Sequence, residues 1–314
     1  MLQILARRLL SLIPLLLIVS LLVTGLLYLI PGDPAVTLAG DNPSPERIAG
    51  IRENLGLDRP FLERYFDWLG ALLHGDLGTS LFSGRSVNDT LLKRMPPTLS
   101  IAALALTFAL VIGLMCGVIG ALRRGDWADK LTGVFSSIAI SVPNYWLALM
   151  LLIVFALYIP IFPSLGYVPI SEGVWPWFTH IFLPALALGA VGGGEFARQI
   201  RSSLSQTLDE QFIRAARAKG LRTHQVIGKH ALKTSLGPAL TMLGLETSSL
   251  IGGSVIVESI FVIPGIGELA IRSVIQNDIP MIQGIVVYTV VVVVLVNLAV
   301  DMILVWLDPK VRKA

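Results

Sequence analysis

The chain has 314 residues, 54% of them hydrophobic and only 14% charged, with a formal net charge of +3 and a mean hydropathy of +0.76. Soluble domains carry about a quarter charged residues, so a soluble globular protein is excluded and a polytopic, all-α membrane protein is indicated. The small net charge gives no footing for nucleic-acid binding, and a single cysteine, Cys116, excludes an intrachain disulfide or a thiolate-built metal site.

The N-terminal run begins like a secretory signal, with Arg7 and Arg8 before an apolar stretch. That stretch continues for about twenty residues without a small-residue cleavage site before Pro31, so it reads as an uncleaved first span. Six segments are long and apolar enough to cross a bilayer, near residues 9–30, 98–121, 133–159, 179–197, 237–258 and 281–306. No repeat or linker divides them, and residues 1–314 read as one transmembrane domain.

Between the first two spans lies a long loop, 31–97, in which Phe61, Tyr65, Phe66, Trp68, Leu69, Leu72 and Leu73 recur at helical spacing. An amphipathic helix in the membrane interface fits, and so does packing of these aromatics against the ends of the spans. In the third span, Pro143-Asn144 predicts a kink, because proline removes one helix bond. The fourth span is the weakest, carrying Pro184 and the run Gly192-Gly193-Gly194.

After it comes a basic loop, 198–238, with eight of the chain's twenty-four Lys and Arg residues. Leu204, Leu208, Phe212, Ala215, Ala216 and Lys219 predict one helix from Leu204 to Lys219, with Asp209 and Glu210 on its polar side. Gly220 ends it, and Thr223 is placed to cap a second helix running through Val226, Ile227, His230 and Ala231 toward Pro238. Spacing alone leaves two readings open: a helical tip for insertion into a partner's groove, or a solvated loop with no partner.

In the fifth span Glu246 sits near the middle, where a charge costs about 2.5 to 3.5 kcal/mol and must face protein or water. It reads as a candidate residue of a polar translocation path together with Ser249, or as a structural hydrogen-bonding group. The small residues from Ser248 to Ser254 permit close helix contact, which is the preferred role for Gly252 and Gly253. The apolar turn Phe261-Val262-Ile263-Pro264-Gly265 breaks the helix, and Phe261, Pro264 and Gly265 are candidates for an external gate. Asp301, near the inner end of the sixth span, reads as capping or packing.

Counting Lys and Arg on alternate sides places sixteen with the termini and the basic loop and eight opposite, seven of them in the long 31–97 loop. Both termini are therefore expected on the cytoplasmic side. His74, His180, His224 and His230 form no set of ligands in sequence, no catalytic residue is expected, and no phosphate-binding loop is present. Any ATP must be bound by another subunit.

The basic loop resembles the Glu-Ala-Ala loop of membrane subunits of ABC importers, a pattern that Ala215, Ala216 and Gly220 match. Arg214 stands at the position of its Glu, Pro238 comes late, and Arg217-Ala218-Lys219-Gly220 follows, as in the dipeptide/oligopeptide branch that includes peptide, nickel and glutathione systems. The similarity continues through Arg7-Arg8-Leu9 with Ile13-Pro14, Pro31-Gly32-Asp33-Pro34-Ala35, Leu55-Gly56-Leu57-Asp58, Gly75-Asp76-Leu77-Gly78, Gly252 to Glu258, Pro264 to Gly267 and Leu307-Asp308-Pro309. The resemblance implies a six-helix, metI-like type I importer permease in a bacterial cytoplasmic membrane. It implies as partners a second homologous permease, two ATPase subunits that bind ATP and magnesium, an extracytoplasmic solute-binding protein, and a peptide or similar solute. Arg214, Ala215, Ala216, Arg217, Lys219 and Gly220 would then dock on an ATPase, and this chain would perform no covalent chemistry. A secondary, ion-coupled transporter using Glu246 or Asp301, and an intramembrane hydrolase using Ser248 or Ser254, are the rivals. No intramembrane Lys or Arg, inverted repeat or base at matching depth supports either.

Overall fold

The computed structural model describes residues 2–29, 33–40 and 43–307. In chain order its helices are α1 (Leu2–Leu29), α2 (Pro34–Ala39), α3 (Pro45–Asn54), α4 (Phe61–Leu73), α5 (Val87–Leu122), α6 (Trp127–Ser141) and α7 (Asn144–Leu152), the last continuing as a π-helical stretch, Ile153–Tyr158. There follow α8 (Val174–Leu208), α9 (Gln211–Ala218), the turn α10 (Thr223–Gln225) with a π-helical stretch Val226–Ala231, α11 (Leu232–Ile260), α12 (Ile266–Gln276) and α13 (Ile279–Leu307). Among the described residues there is no strand, only an isolated bridge between Thr79 and Ser86. Pro31, Gly32 and the segment from Asp308 onward lie outside the described residues, as do the side chains of Arg7, Arg8 and Asp301.

Val87–Leu122, Val174–Leu208 and Ile279–Val300 are each long and apolar enough to cross a membrane. Counting two bent pairs as single spans, Trp127–Ser141 with Asn144–Tyr158 and Thr223–Ala239 with Gly244–Ile260, gives five, and Ile13–Leu26 of α1 is a shorter apolar helix. The kink read from Pro143-Asn144 is a bend of 99° between α6 and α7, so the third apolar segment is two helices, not one. Pro143 lacks an N–H, and Asn144 begins a new helix after it.

The chain folds as two units. The first comprises Pro97–Ile263 and the C-terminal helix from Leu295. Its centre is α8, which packs on α6, α7 and α11. The glycines that made this segment look weak are its contact surface. A Cβ on Gly193 would stand 3.0 Å from Ile112 Cβ of α5, one on Gly194 2.8 Å from Ala139 Cβ of α6, and one on Gly192 2.2 Å from Glu246 Oε1 of α11. Three neighbours therefore approach one turn of α8 on three sides. The reverse pattern lies on α5, where a Cβ on Gly113 would meet Phe196 Cβ at 2.3 Å and one on Gly117 would meet Ala197 O at 2.8 Å. Apolar helices in lipid gain little from burial as such and associate through close packing, which glycine permits.

The second unit comprises Leu2–Pro96 and Pro264–Val294. Its core joins Val87 and Leu91 to Ile266, Leu269, Met281 and Ile285. Helix α4, expected from the aromatic spacing, is tied to α1 through Tyr65, which is buried. Its hydroxyl lies 2.9 Å from Ser20 Oγ and donates to Leu17 O at 3.2 Å. Leu62, Phe66 and Leu73 of α4 remain exposed, beside a ladder in which Arg59 donates to Glu63 at 2.7 Å and Asp67 at 2.6 Å. Thus one aromatic packs on α1 while Leu62, Phe66 and Leu73 leave an apolar stripe of α4 exposed. A further buried polar contact, Gln283 Nε2 to Thr24 Oγ1 at 2.9 Å, joins α13 to α1.

Candidate functional site

The basic loop is more broken than its periodicity predicts. The single helix expected from Leu204 to Lys219 is two, because the chain turns at Asp209 and Glu210: α8 ends at Leu208, and Glu210, in extended conformation, precedes α9. The turn uses the polar groups that a continuous helix would have left in solvent. Asp209 Oδ2 accepts from Arg124 at 3.1 Å, and its carbonyl accepts from Arg214 Nη2 at 2.9 Å. Nor is Thr223 the cap of the following helix. Arg222 is, with its N–H donating to Gln225 Oε1 at 3.3 Å, and Pro238 lies inside α11 without ending it.

Gly220 does end α9. Its φ of +78° places it in the left-handed region, where the N–H of Gly220 reaches Arg217 O at 2.9 Å and that of Leu221 reaches Ala216 O at 3.3 Å. This pair of bonds is the Schellman motif, in which glycine is favoured because it has no Cβ to clash.

The six tip residues do not share a face. Ile213 and Ala216 are buried with Ala121, Leu204, Val226 and Ala231 in a small apolar cluster. Arg214, Ala215, Arg217, Lys219 and Gly220 are exposed. The cluster fixes α9 on its own chain through Ala216 and presents a surface of one small residue, a glycine turn and three cations. Behind it, Arg201 of α8 forms a two-pronged ion pair with Asp129 of α6, Nε to Oδ1 and Nη2 to Oδ2, the second at 2.9 Å; Gly125 N also donates to Oδ2 at 3.0 Å. The sequence reading missed this pair, whose members are 72 positions apart.

Within the first unit α11 carries three polar contacts, each seated on a glycine. Glu246 lies on Gly192 of α8. Asn297 of α13 lies on Gly244, its Oδ1 2.5 Å from where a Cβ would be, and Asn144 of α7 lies on Gly253, its Nδ2 at 2.6 Å on the same measure. Glycine removes the side chain and exposes backbone polar atoms, which suits a polar group that must stay away from lipid. Gly253 therefore packs as expected, whereas a Cβ on Gly252 would meet nothing within 4 Å. Ser249, one turn from Glu246, is exposed, in line with Leu245, Gly252 and Ile256. The two candidate path residues thus share a helix while Glu246 leans on α8.

At the far end of α11, Phe261 and Ile263 are buried in the main core of this unit. Phe261 O accepts from Gly166 N at 2.8 Å. In the second unit, Pro264 is exposed and Gly265 is the buried residue preceding α12. Among the described residues no group of three His, Cys, Asp or Glu side chains could hold a metal ion.

The matches of this all-helical chain to known proteins are of one class, membrane subunits of transport systems. Residues 109–313 match the family model described as binding-protein-dependent transport system inner membrane component, and residues 1–102 match the model of the N-terminal part of such membrane components. The chain belongs to this family of permeases and is a multi-pass membrane protein. A Brucella abortus permease whose name assigns it to peptide transport is 39% identical over 98% of both chains. The glutathione transport system permease protein of Pectobacterium atrosepticum is 37% identical over 99% of both. Among solved structures, an inward-facing MetNI methionine ABC transporter has a chain with the same fold, at a TM-score of 0.56 and 19% identity, covering 70% of this chain and 96% of that one. Membership in a binding-protein-dependent family removes the basis for an ion-coupled transporter working without an ATPase.

Proposed function

We infer that this chain is the membrane-spanning permease subunit of an ATP-driven importer, forming half of a translocation pathway for peptides or related small solutes. The observation that carries the reading is the full-length family match together with an exposed, glycine-ended helix tip on the basic loop. The substrate class follows the relatives, which are named for peptides and for glutathione.

In this reading six apolar elements cross the membrane, α1, α5, the bent α6–α7 pair, α8, α11 and α13, with both termini cytoplasmic. The excess of Lys and Arg on that side supports the orientation. A second, related permease completes the pathway, two ATPases bind ATP and magnesium, and a soluble solute-binding protein delivers the cargo outside. Arg214, Ala215, Arg217, Lys219 and Gly220 meet the ATPase directly, and Ala216 positions them by anchoring α9. ATP binding favours one of two packings of the bundle, and the solute crosses by alternating access. Glu246 and Ser249 line the path, and the turn holding Phe261, Pro264 and Gly265 gates its outer end. The chain itself is not an enzyme.

The test is mass spectrometry of what co-purifies with the tagged chain after gentle extraction, beside an Ala215→Glu variant. A related permease and ATPases should accompany the wild type, and the ATPases should be lost from the variant. A chain recovered alone would remove the motor and overturn the reading.

A further inference from the structure

A cavity of about 770 Å³ lies wholly within the second unit, outside the basic loop and the candidate path. The loop around Thr79–Ser86, the first two turns of α5, and α12 with the following Asp278 enclose it. Its frame is rigid. Asp278, 2% exposed, accepts from Ser80 Oγ at 2.5 Å and from Leu81 N at 3.1 Å, which locks the loop to the end of α12. Arg94 of α5 donates to Glu268 of α12 at 2.9 Å, and Arg272 donates to the same carboxylate. Leu269 and Met281 give it an apolar floor, and Phe82 lies on its edge.

Its charges are unbalanced. Four cations line the cavity, and Arg94 and Arg272 are spent on Glu268. Arg85 and Lys93, both exposed, form no ion pair among the described residues. Asp278 is consumed by the loop, which leaves Asp89 as the one lining carboxylate outside such a pairing. Arg85 stands with Lys93, Phe82 and two further arginines around the cavity, and aromatic residues and Arg are enriched at protein interfaces. The mouth is open and framed by side chains of both polarities, which suits a projecting acidic segment of a protein better than an enclosed small molecule.

We propose that this cavity is the socket in which the soluble solute-binding protein seats an acidic projection, with Arg85 and Lys93 as its electrostatic anchors. The proposal rests on the importer reading, in which the 31–97 and 264–278 segments face outward. Rim charges of this kind set the encounter rate and its salt dependence.

The experiment uses the complete complex reconstituted in vesicles, titrated with the binding protein recovered by crosslinking to the wild-type complex, with ATP hydrolysis as readout. For Arg85→Glu/Lys93→Glu the half-saturating concentration should rise about tenfold at low ionic strength, and the gap should narrow at high salt. Arg47→Glu, an exposed charge of α3, should leave half-saturation where it was. Unchanged half-saturation in the double variant, or an equal shift in the Arg47 control, would overturn the socket. So would failure of the double variant to assemble with the second permease, since the cavity would then be a subunit contact. Absence of any stimulation in the wild-type complex would instead count against the importer reading itself.

Discussion

The carboxylate of Glu246 lies on the backbone of Gly192, so close that a Cβ on the glycine would stand 2.2 Å from Oε1. The 54 positions between a helix that looked too glycine-rich and an acid that looked too polar for a membrane are closed by one contact. Each residue supplies the reason for the other. The glycine removes the side chain that would displace the carboxylate, and the carboxylate occupies a groove that would otherwise be a void.

Gly192→Ala should therefore destabilise the protein by about 1 to 3 kcal/mol, as overpacking does, read as a lowered thermal midpoint in detergent. Glu246→Ala on the same background should recover part of the loss, because the two changes act on one contact. Strict additivity of the two single effects would show that the carboxylate does not sit where α8 requires it.

Ala215 and Ala216 are adjacent and should behave oppositely. Ala216 is buried with Ile213 and Leu204, so Ala216→Glu puts an unpaired carboxylate into an apolar cluster, at a cost of several kcal/mol, and should lower the thermal midpoint of the isolated chain. Ala215 is exposed, so Ala215→Glu should leave that midpoint unmoved while removing bound ATPase in a pull-down. Loss of ATPase with both variants at an unchanged midpoint would mean that Ala216 is not anchored to its own chain.

Composition and periodicity made much of this legible: the apolar segments, the helix at Phe61–Leu73, the kink at Pro143 and the end of α9 at Gly220 all follow from local chemistry. What escaped was set by partners distant in sequence. The run at Gly192 to Gly194 read as a weakness because the sequence does not show the three helices that need to approach it. The break at Asp209–Glu210 escaped because apolar periodicity continues across it, while the bonds that favour the turn come from Arg124 and Arg214. The spacing Gly113-x-x-x-Gly117 was a signal available for the α5–α8 contact. No comparable signal marked Arg201 and Asp129 as a pair.

That pair gives a third expectation. Asp129 is 8% exposed at the side chain and receives Arg201 in two bonds. Arg201→Ala would leave a carboxylate short of its donors, and the cost should be about 1 to 3 kcal/mol. Arg201→Lys should recover only part of it, since an ammonium cannot reproduce the planar fork. Thermal unfolding of Arg201→Ala, Asp129→Ala and the double variant checks this. A double variant as damaged as the sum of the singles would mean that the two residues act independently.

Five helix ends among the described residues use the same pair of backbone bonds, with three kinds of residue in the left-handed position: Gly56 after α3, Gly75 after α4, Gly220 after α9, Asn277 after α12 and Val262 after α11. Glycine and asparagine tolerate that conformation, but valine has a branched Cβ and does not. At Val262, φ is +52°, with Val262 N to Ser259 O at 3.3 Å and Ile263 N to Glu258 O at 2.8 Å. Buried Phe261 and Ile263 on either side keep the turn closed, so the core supports a strain of about 1 to 2 kcal/mol. Val262 itself is 58% exposed, and its side chain returns little packing for that strain. Val262→Gly should relieve it and, after the greater chain entropy of glycine in the unfolded state is subtracted at about 0.5 to 1 kcal/mol, should stabilise the protein by about 0.5 to 1 kcal/mol. Val262→Ala keeps the Cβ and should gain less than glycine. A thermal midpoint that falls with glycine would mean that the valine side chain contributes contacts outweighing its strained backbone.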